Sequence, residues 1–171
     1  MRVKHRYQLR TKEKRALVQQ LEATPTLLHR DLTSSSVGKT PVELVVLENR
    51  TELYLIDERL WLVRTKETTY PSLHALLDGV VTLPKIVVDM GAVPHIANGA
   101  DVMGPGIVAA DDSITEGDIV VVVDQKSQTP LAVGRAIFGA DKMSTKSKGR
   151  AVTVIMYVGD WLWDLMKSLS T

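Results

Sequence analysis

Three apolar runs in the second half of the chain follow one another closely, separated by turns and polar loops. They are IVVVVD, LAVGRAIFG and AVTVIMYV, at residues 119–124, 131–139 and 151–158. Valine and isoleucine dominate these runs, a composition typical of buried β-strands. With only one very short helix nearby, the pattern favours a small mixed β-barrel over βαβ units.

The start of this half combines a strand, a short helix and a segment rich in glycine. Residues 86–88 (IVV) have the composition of a buried strand. Residues 92–98 are long enough for one or two helical turns, and Gly99 suits a left-handed helix end. The segment GADVMGPGIV, at residues 99–108, has too many turn residues for a helix or a long strand. It is nevertheless too apolar for an ordinary solvated loop.

The first half is predicted to form a compact α+β domain at residues 1–82, followed by a second domain at residues 83–171. The predicted elements of the first domain are a strand at 3–9, a helix from Thr11, strands at 42–48, 52–56 and 60–65, and a helix at 71–78. Near the other end of the chain, Asp160 is a suitable N-cap for a final helix.

The first helix of the chain is predicted to be amphipathic. Its inward stripe consists of Leu17, Val18 and Leu21. This spacing leaves the cations Lys12, Lys14 and Arg15 pointing mostly to solvent.

Positive charge is concentrated in two short segments of a chain whose net charge is only +1. Residues 1–82 contain 13 Lys and Arg against 10 Asp and Glu, whereas residues 83–171 contain 8 against 10. One cluster, opposed only by Glu13, consists of Arg2, Lys4, Arg6, Arg10, Lys12, Lys14 and Arg15. The other, opposed only by Asp141, consists of Lys142, Lys146, Lys148 and Arg150. Such local patches favour a defined polyanion site, with ordinary solvated surfaces as the alternative.

No residue pattern indicates an enzyme or a metal site. Without cysteine the chain cannot form disulfides, thiolate zinc sites or a cysteine nucleophile. Its four histidines are far apart in the sequence. The tripeptide GKT at residues 38–40 lacks the glycine that a phosphate-binding loop needs five residues earlier, where Thr33 stands. We therefore predict no catalytic residue, no metal ligand and no cofactor.

The expected location is the cytoplasm, without membrane contact. The N-terminal segment lacks the apolar core of a signal peptide, and the longest aliphatic run, Ile119–Val123, is too short to span a bilayer. The absence of cysteine fits a reducing compartment.

Several motifs of the second half, taken in order, resemble those of a PUA domain, an RNA-binding fold shared by pseudouridine synthases and archaeosine transglycosylases. The resemblance covers residues 84–158 and rests on VVDMGAVPHIANGADVMGPGI, EGDIVVVV, LAVGRA and GRAVTVIMYVGDWLW. The whole chain is similar to the archaeal stand-alone PUA proteins, which are related to the eukaryotic MCT (malignant T-cell-amplified) translation factors. The resemblance implies an α+β fold, in which a small pre-PUA-like domain precedes a PUA pseudo-barrel of mixed β-strands with short helices.

The resemblance also implies where RNA would bind. In PUA domains the short helix and the glycine-rich segment after it line the RNA groove, here Gly91, Ala92, His95, Asn98, Gly99, Ala100, Asp101, Val102, Met103, Gly104, Pro105 and Gly106. Glycine lets a sugar–phosphate backbone approach closely, and an apolar side chain such as Met103 can pack against an unstacked base. The side chains of Val102 and Ile107 are expected to belong to the core. Nonspecific phosphate contacts would come from Lys142, Lys146, Lys148 and Arg150.

Three functional hypotheses follow from the sequence and the resemblance. The first is a non-catalytic RNA-binding protein of translation that binds tRNA or ribosomal RNA, with a ribosomal subunit or a translation factor as a possible partner. The second is an accessory subunit that delivers RNA to a modification enzyme. The third is an adaptor of the translation machinery whose basic patches bind an acidic protein, and resistance of the interaction to ribonuclease would identify it.

Overall fold

The computed structural model describes residues 1–143 and 148–169. The chain divides into two compact units, residues 1–82 and residues 83–169, which we call unit 1 and unit 2. Each unit contains one β-sheet and its own buried apolar side chains. In the described parts of both units, no helix is long and apolar enough to cross a membrane.

Unit 1 is built on a five-stranded antiparallel sheet whose strands lie side by side in chain order. Its elements are β1 (Val3–Gln8), α1 (Thr11–Leu21), a 3-10 turn (Pro25–Leu27), β2 (Glu43–Leu47), β3 (Glu52–Ile56), β4 (Arg59–Arg64), β5 (Thr69–Pro71) and α2 (Leu73–Leu77). The four strands predicted in this half are confirmed to within one or two residues at each end. Strand β5 was not predicted.

Helix α1 is amphipathic as predicted, and its inward stripe of Leu17, Val18 and Leu21 is buried. The outward placement expected for Lys14 is wrong. This side chain is buried, and its Nζ donates a hydrogen bond to the Thr40 carbonyl oxygen at 2.8 Å. A lysine can lie along apolar surface in this way because its long aliphatic stem lets the ammonium group reach a polar partner. Thr40 ends the GKT tripeptide, which leads into strand β2.

Helix α2 begins later than predicted. Pro71 is the last residue of β5, and the N-cap of the helix is Ser72. The Ser72 hydroxyl accepts the Ala75 N–H at 3.1 Å and donates to the Leu60 carbonyl oxygen. Gly79, with a φ of +68°, lies just beyond the helix end, as the sequence suggested.

The interior of unit 1 holds a buried histidine against a buried tryptophan. The Trp61 Nε1–H donates to the Leu27 carbonyl oxygen at 2.8 Å, and the His29 ring stands edge-on to the indole. Burial lowers the pKa of His29, so its imidazole is neutral near pH 7. The neutral ring accepts the Asp31 N–H on Nδ1 at 3.1 Å. His29 therefore contributes to the packing of unit 1.

Unit 2 is a mixed six-stranded sheet that curls into a near-barrel. Its elements are β6 (Lys85–Val88), α3 (Val93–Ala97), β7 (Val102–Met103), a 3-10 turn (Gly104–Gly106), β8 (Ile107–Ala110), β9 (Ile119–Asp124), β10 (Pro130–Ala136), a 3-10 turn (Ala140–Lys142), β11 (Arg150–Tyr157) and α4 (Trp161–Leu169). The strand order is β7-β11-β10-β9-β6-β8, and only the β6–β9 pair is parallel. The prediction of a small mixed barrel with short helices is confirmed.

The glycine-rich segment supplies both end strands of this sheet. Strands β7 and β8 lie at opposite ends of the strand order and are joined through the 3-10 turn Gly104–Gly106. Val102 and Ile107 point into the core and are buried, as expected. Met103 and Val108, their neighbours in the two strands, are exposed. This arrangement explains a sequence that mixes turn residues with apolar side chains.

The core of unit 2 is aliphatic. At one position, where β10 and β11 pair closely, only glycine fits. Its buried members are Ile86, Val88, Ile96, Val102, Ile107, Ile114, Val120, Val122, Ala132, Ala136, Met143, Ala151 and Val152. The pairing of β10 with β11 shifts register between Val133 and Gly134. A Cβ atom at Gly134 would lie 2.9 Å from the Thr153 carbonyl oxygen, so this close approach requires glycine.

Candidate nucleic-acid interface

A groove of about 520 Å³ opens on unit 2 where α3, the glycine-rich segment and the start of β11 meet. Its lining residues are Ala92, His95, Ile96, Ala100, Asp101, Val102, Met103, Gly106 and Arg150. Most of these side chains are small or apolar. The groove therefore combines an apolar surface with one arginine, one aspartate and one histidine.

Helix α3 is fixed against the glycine-rich turn through Asp89. The Asp89 carboxylate accepts the Ala92 N–H at 2.8 Å, which satisfies a donor at the start of the helix. The Asp89 N–H donates to the Gly106 carbonyl oxygen at 2.9 Å. Ile96 anchors the helix in the core, and the exposed His95 faces the groove. One side of the groove is thus a short helix held by the Asp89 contacts and by the buried Ile96.

The other side is a cross-strand pair formed by Met103 and Arg150. These residues stand opposite each other where β7 pairs with β11. The Met103 side chain is 49% exposed although it is apolar. Arg150 is also well exposed and lines the same groove. Strand pairing therefore places a thioether and a guanidinium next to each other at the groove wall.

Asp101 orients this arginine. One carboxylate oxygen accepts the Val154 N–H at 2.8 Å, and the other lies 3.2 Å from the Arg150 Nε. The carboxylate is therefore fixed to the backbone of β11 and forms an ion pair with the guanidinium. An exposed guanidinium in a single ion pair has further N–H groups that can donate to a second anion.

This arrangement suits an unstacked nucleotide. The apolar surface around Met103 can pack against a base or a ribose, and the arginine can pair with a phosphate. The Asp101 carboxylate would repel a phosphate placed close to it. A phosphate is therefore expected on the outer side of Arg150.

The structure brings together eight of the predicted RNA-binding residues at this groove. They are Ala92, His95, Ala100, Asp101, Val102, Met103, Gly106 and Arg150. Val102 lines the groove only at its base, because its side chain is buried in the core. Ile96 also lines the groove and was not predicted, although its apolar position in the short helix is a usable signal.

Other predicted residues lie outside the groove lining, and two of the glycines serve the fold. Gly99 has a φ of +88°, and a Cβ atom there would lie 2.7 Å from the Tyr157 ring. Gly104 is buried, and its N–H donates to the Gly149 carbonyl oxygen at 2.8 Å, so it has no amide to offer a phosphate. The remaining described residues outside the lining are Gly91, Asn98, Pro105, Lys142 and Lys148. Lys146 lies outside the described residues.

The described part of the chain contains no cluster of side chains suited to bind a metal ion. Within residues 1–143 and 148–169, no group of three or more His, Asp or Glu side chains could hold a metal ion.

Two family models together match most of the chain. The Pre-PUA-like domain matches residues 1–78, and the PUA domain matches residues 84–158. The second match contains every residue that lines the groove. The PUA domain is an RNA-binding fold, so the groove lies in the part of the chain where RNA binding is expected.

Known proteins match the chain over most of its length. The crystal structure of a hypothetical protein from Pyrococcus horikoshii OT3 has a TM-score of 0.75 at 34% identity and covers 95% of this chain and 99% of its own. Malignant T-cell-amplified sequence 1-B of Xenopus laevis is 26% identical over 92% of this chain and 90% of its own.

Another relative is named for translation. Translation machinery-associated protein 20 of Saccharomyces cerevisiae is 27% identical over 74% of this chain and 73% of its own. Homology to such proteins links the chain to translation-associated relatives. The chain therefore belongs to the PUA-domain family, with a Pre-PUA-like domain before its PUA domain, and is related to the malignant T-cell-amplified and translation machinery-associated proteins.

Proposed function

We propose that this protein is a non-catalytic RNA-binding protein of translation that holds an unstacked end of a tRNA or ribosomal RNA in the groove of unit 2. The observation that carries the proposal is the Met103–Arg150 pair, an exposed thioether next to an oriented guanidinium at one groove wall. The relation to translation machinery-associated protein 20 supports a role in translation.

The apolar surface and the arginine act on different parts of the nucleotide. Packing of a base or ribose against Met103 removes apolar surface from water and favours single-stranded RNA, because bases in a duplex are already stacked. Arg150 neutralises a phosphate of the same strand. This part of binding depends on salt, whereas packing against Met103 does not.

The proposal predicts that Met103→Ala weakens RNA binding by about 1 kcal/mol or somewhat more. This is the lower end of what base stacking contributes, since a thioether offers less surface than an aromatic ring. Met90→Ala is the matched control, because Met90 is similarly exposed but does not line the groove. Fluorescence anisotropy with a labelled tRNA measures both variants, and equal affinity for Met103→Ala and wild type would contradict the proposal.

Two further measurements identify the RNA contact. Arg150→Gln should weaken binding to all RNAs similarly and reduce the slope of log K against log salt by roughly 0.7 for one lost contact on a single strand.

Removal of the 3′-terminal nucleotides of a tRNA should weaken binding by wild type but hardly affect Met103→Ala. If trimming has no effect on wild type while Met103→Ala still weakens binding, the ligand is an internal single strand and not a tRNA end.

A further inference from the structure

The face of the unit 1 sheet covered by α1 contains a second cavity with an exposed aromatic ring at its edge. Tyr7, Leu44 and Tyr54 stand in register across β1, β2 and β3 and form one cross-strand row. Helix α1 covers the inner part of this row. A pocket of about 230 Å³ remains, and Tyr7 is 45% exposed at its outer edge.

Both apolar and polar side chains line the pocket. Leu9, Ala16, Leu17 and Leu44 supply apolar surface, and Glu13, Gln20 and Arg64 supply polar groups. Arg64 is held by the Tyr54 hydroxyl at 2.9 Å and by Gln20 Oε1 at 3.2 Å. The Arg64 guanidinium is therefore already engaged by two other side chains of this pocket.

Cations lie along the strand that carries Tyr7 and at the start of α1. Arg6 forms two hydrogen bonds with Glu43 and is neutralised by it. In the described structure, no carboxylate forms an ion pair with four other exposed cations, which are Arg2, Lys4, Arg10 and Lys12. The surface thus has an aromatic ring over a pocket, with these four cations at the start of the chain, in β1 and at the start of α1.

Protection of a sheet edge accounts for only part of this pattern. Charged side chains and a register shift, both present in β1, are common devices that keep an edge strand from pairing with another chain. Neither device calls for an exposed tyrosine over a cavity. Aromatic rings next to positive charge are instead the combination that binds single-stranded nucleic acid without strict sequence preference.

We propose that unit 1 carries a second RNA site, in which a base of single-stranded RNA stacks on Tyr7 over this pocket while neighbouring phosphates contact the cations of β1 and α1. This inference goes beyond the groove of unit 2 and stands or falls separately from it. RNA is favoured over an acidic peptide because a peptide would use the charge but would leave the exposed ring without a stacking partner.

The test uses the full chain and a fluorescein-labelled decauridylate. In a background with the groove disabled by Met103→Ala and Arg150→Gln, Tyr7→Ala should weaken the remaining binding about tenfold, whereas Tyr7→Phe should retain it. Lys4→Gln with Lys12→Gln should reduce the salt slope by roughly 0.7 per lost contact. Thermal melting of each variant establishes that it is folded, which is expected because Tyr7, Lys4 and Lys12 are exposed.

Photocrosslinking of wild type to a decamer containing 4-thiouridine separates the two sites. Crosslinks at Tyr7 support this inference, whether or not the groove is also labelled. Crosslinks confined to the groove, with equal binding by Tyr7→Ala, would overturn it and leave the proposed function intact. Labelling at Tyr7 alone would overturn the groove proposal instead. If a decaglutamate peptide binds as tightly as the RNA and depends equally on Tyr7, the surface docks a protein and the inference is wrong.

Discussion

A single carboxylate organises the turn between β9 and β10. Asp124 accepts hydrogen bonds from the N–H groups of Lys126, Ser127 and Thr129 at 2.9, 2.6 and 3.1 Å, and from the Ser127 hydroxyl at 2.7 Å. These donors, those of Ser127 first, lower the pKa of Asp124 to about 2, from an ordinary value of 3.8. The charged form is therefore part of the fold of this turn.

This pKa predicts how the stability of the protein responds to acid. Because the folded-state pKa lies below the unfolded-state value, the contribution of Asp124 is present above pH 3.8 and is lost as pH falls toward 2. Melting temperatures of wild type and Asp124→Asn, measured between pH 5 and pH 2, should differ most at pH 5 and converge at the acid end. Asp112→Asn, which changes an exposed aspartate, is the control. A constant difference across this range would contradict the prediction.

Helix α4 is joined to the end of β11 by one aspartate. One Asp160 carboxylate oxygen accepts the Trp163 N–H at 2.9 Å, and the other accepts the Tyr157 N–H at 3.1 Å. The first bond caps the helix, as the sequence predicted. The second bond secures the turn before the helix, and the buried side chain serves both elements at once.

Loss of this cap should destabilise the protein measurably. Asp160→Ala removes both acceptors and is expected to cost about 1–2 kcal/mol, because the Trp163 and Tyr157 N–H groups lose their partners. For unit 2, which spans residues 83–169 and is expected to unfold on its own, that corresponds to a decrease in melting temperature of roughly 4–16 °C. Asp160→Ser, which can still cap the helix, should restore part of the loss. Equal melting temperatures for the alanine and serine variants would show that the cap is not the stabilising contact.

Strand length decided which elements the sequence could predict. The long strands β9 and β11 are evident from their apolar runs, and β9 buries consecutive side chains on both faces. Strand β7 has two residues and exists because Met103 meets Arg150, far along the chain. No pattern in the sequence around Met103 indicates a pairing partner in β11. Strand β5 has only three residues and was not predicted. Its last residue, Pro71, also suits the start of a helix, and the sequence was interpreted in that way.

The sequence indicated the segments that line the groove but not the contacts within it, and RNA binding there stays a prediction. Family resemblance pointed to the short helix and the glycine-rich segment, and most groove residues come from there. From the sequence, Arg150 was predicted only as one of several loop cations. Its contact with Asp101 joins residues that are distant in the sequence, so no local pattern indicates it. At Gly99 a Cβ atom would meet the Tyr157 ring, which explains the glycine by the fold, and the predicted RNA contact there stays a prediction.

At the scale of the whole molecule, each unit has a buried core and is expected to fold on its own. The fragment 1–82 contains the entire five-stranded sheet, and residues 83–171 contain the six-stranded sheet. We predict that each fragment, expressed separately, melts cooperatively in circular dichroism, and that the second fragment retains the effect of Met103→Ala on RNA binding. A fragment 1–82 without a cooperative transition would mean that unit 1 depends on the rest of the chain.

The pairing of Met103 with Arg150 also fixes when the groove can appear during synthesis. Helix α3, which forms one side of the groove, is synthesised before β11, the last strand of the near-barrel, which contains Arg150. Contacts between residues distant in sequence form late, because a long loop must close before they are gained. A nascent chain that has not yet released residues 150–157 from the ribosome has no completed groove. The two walls of the groove are therefore brought together only when β11 pairs with β7.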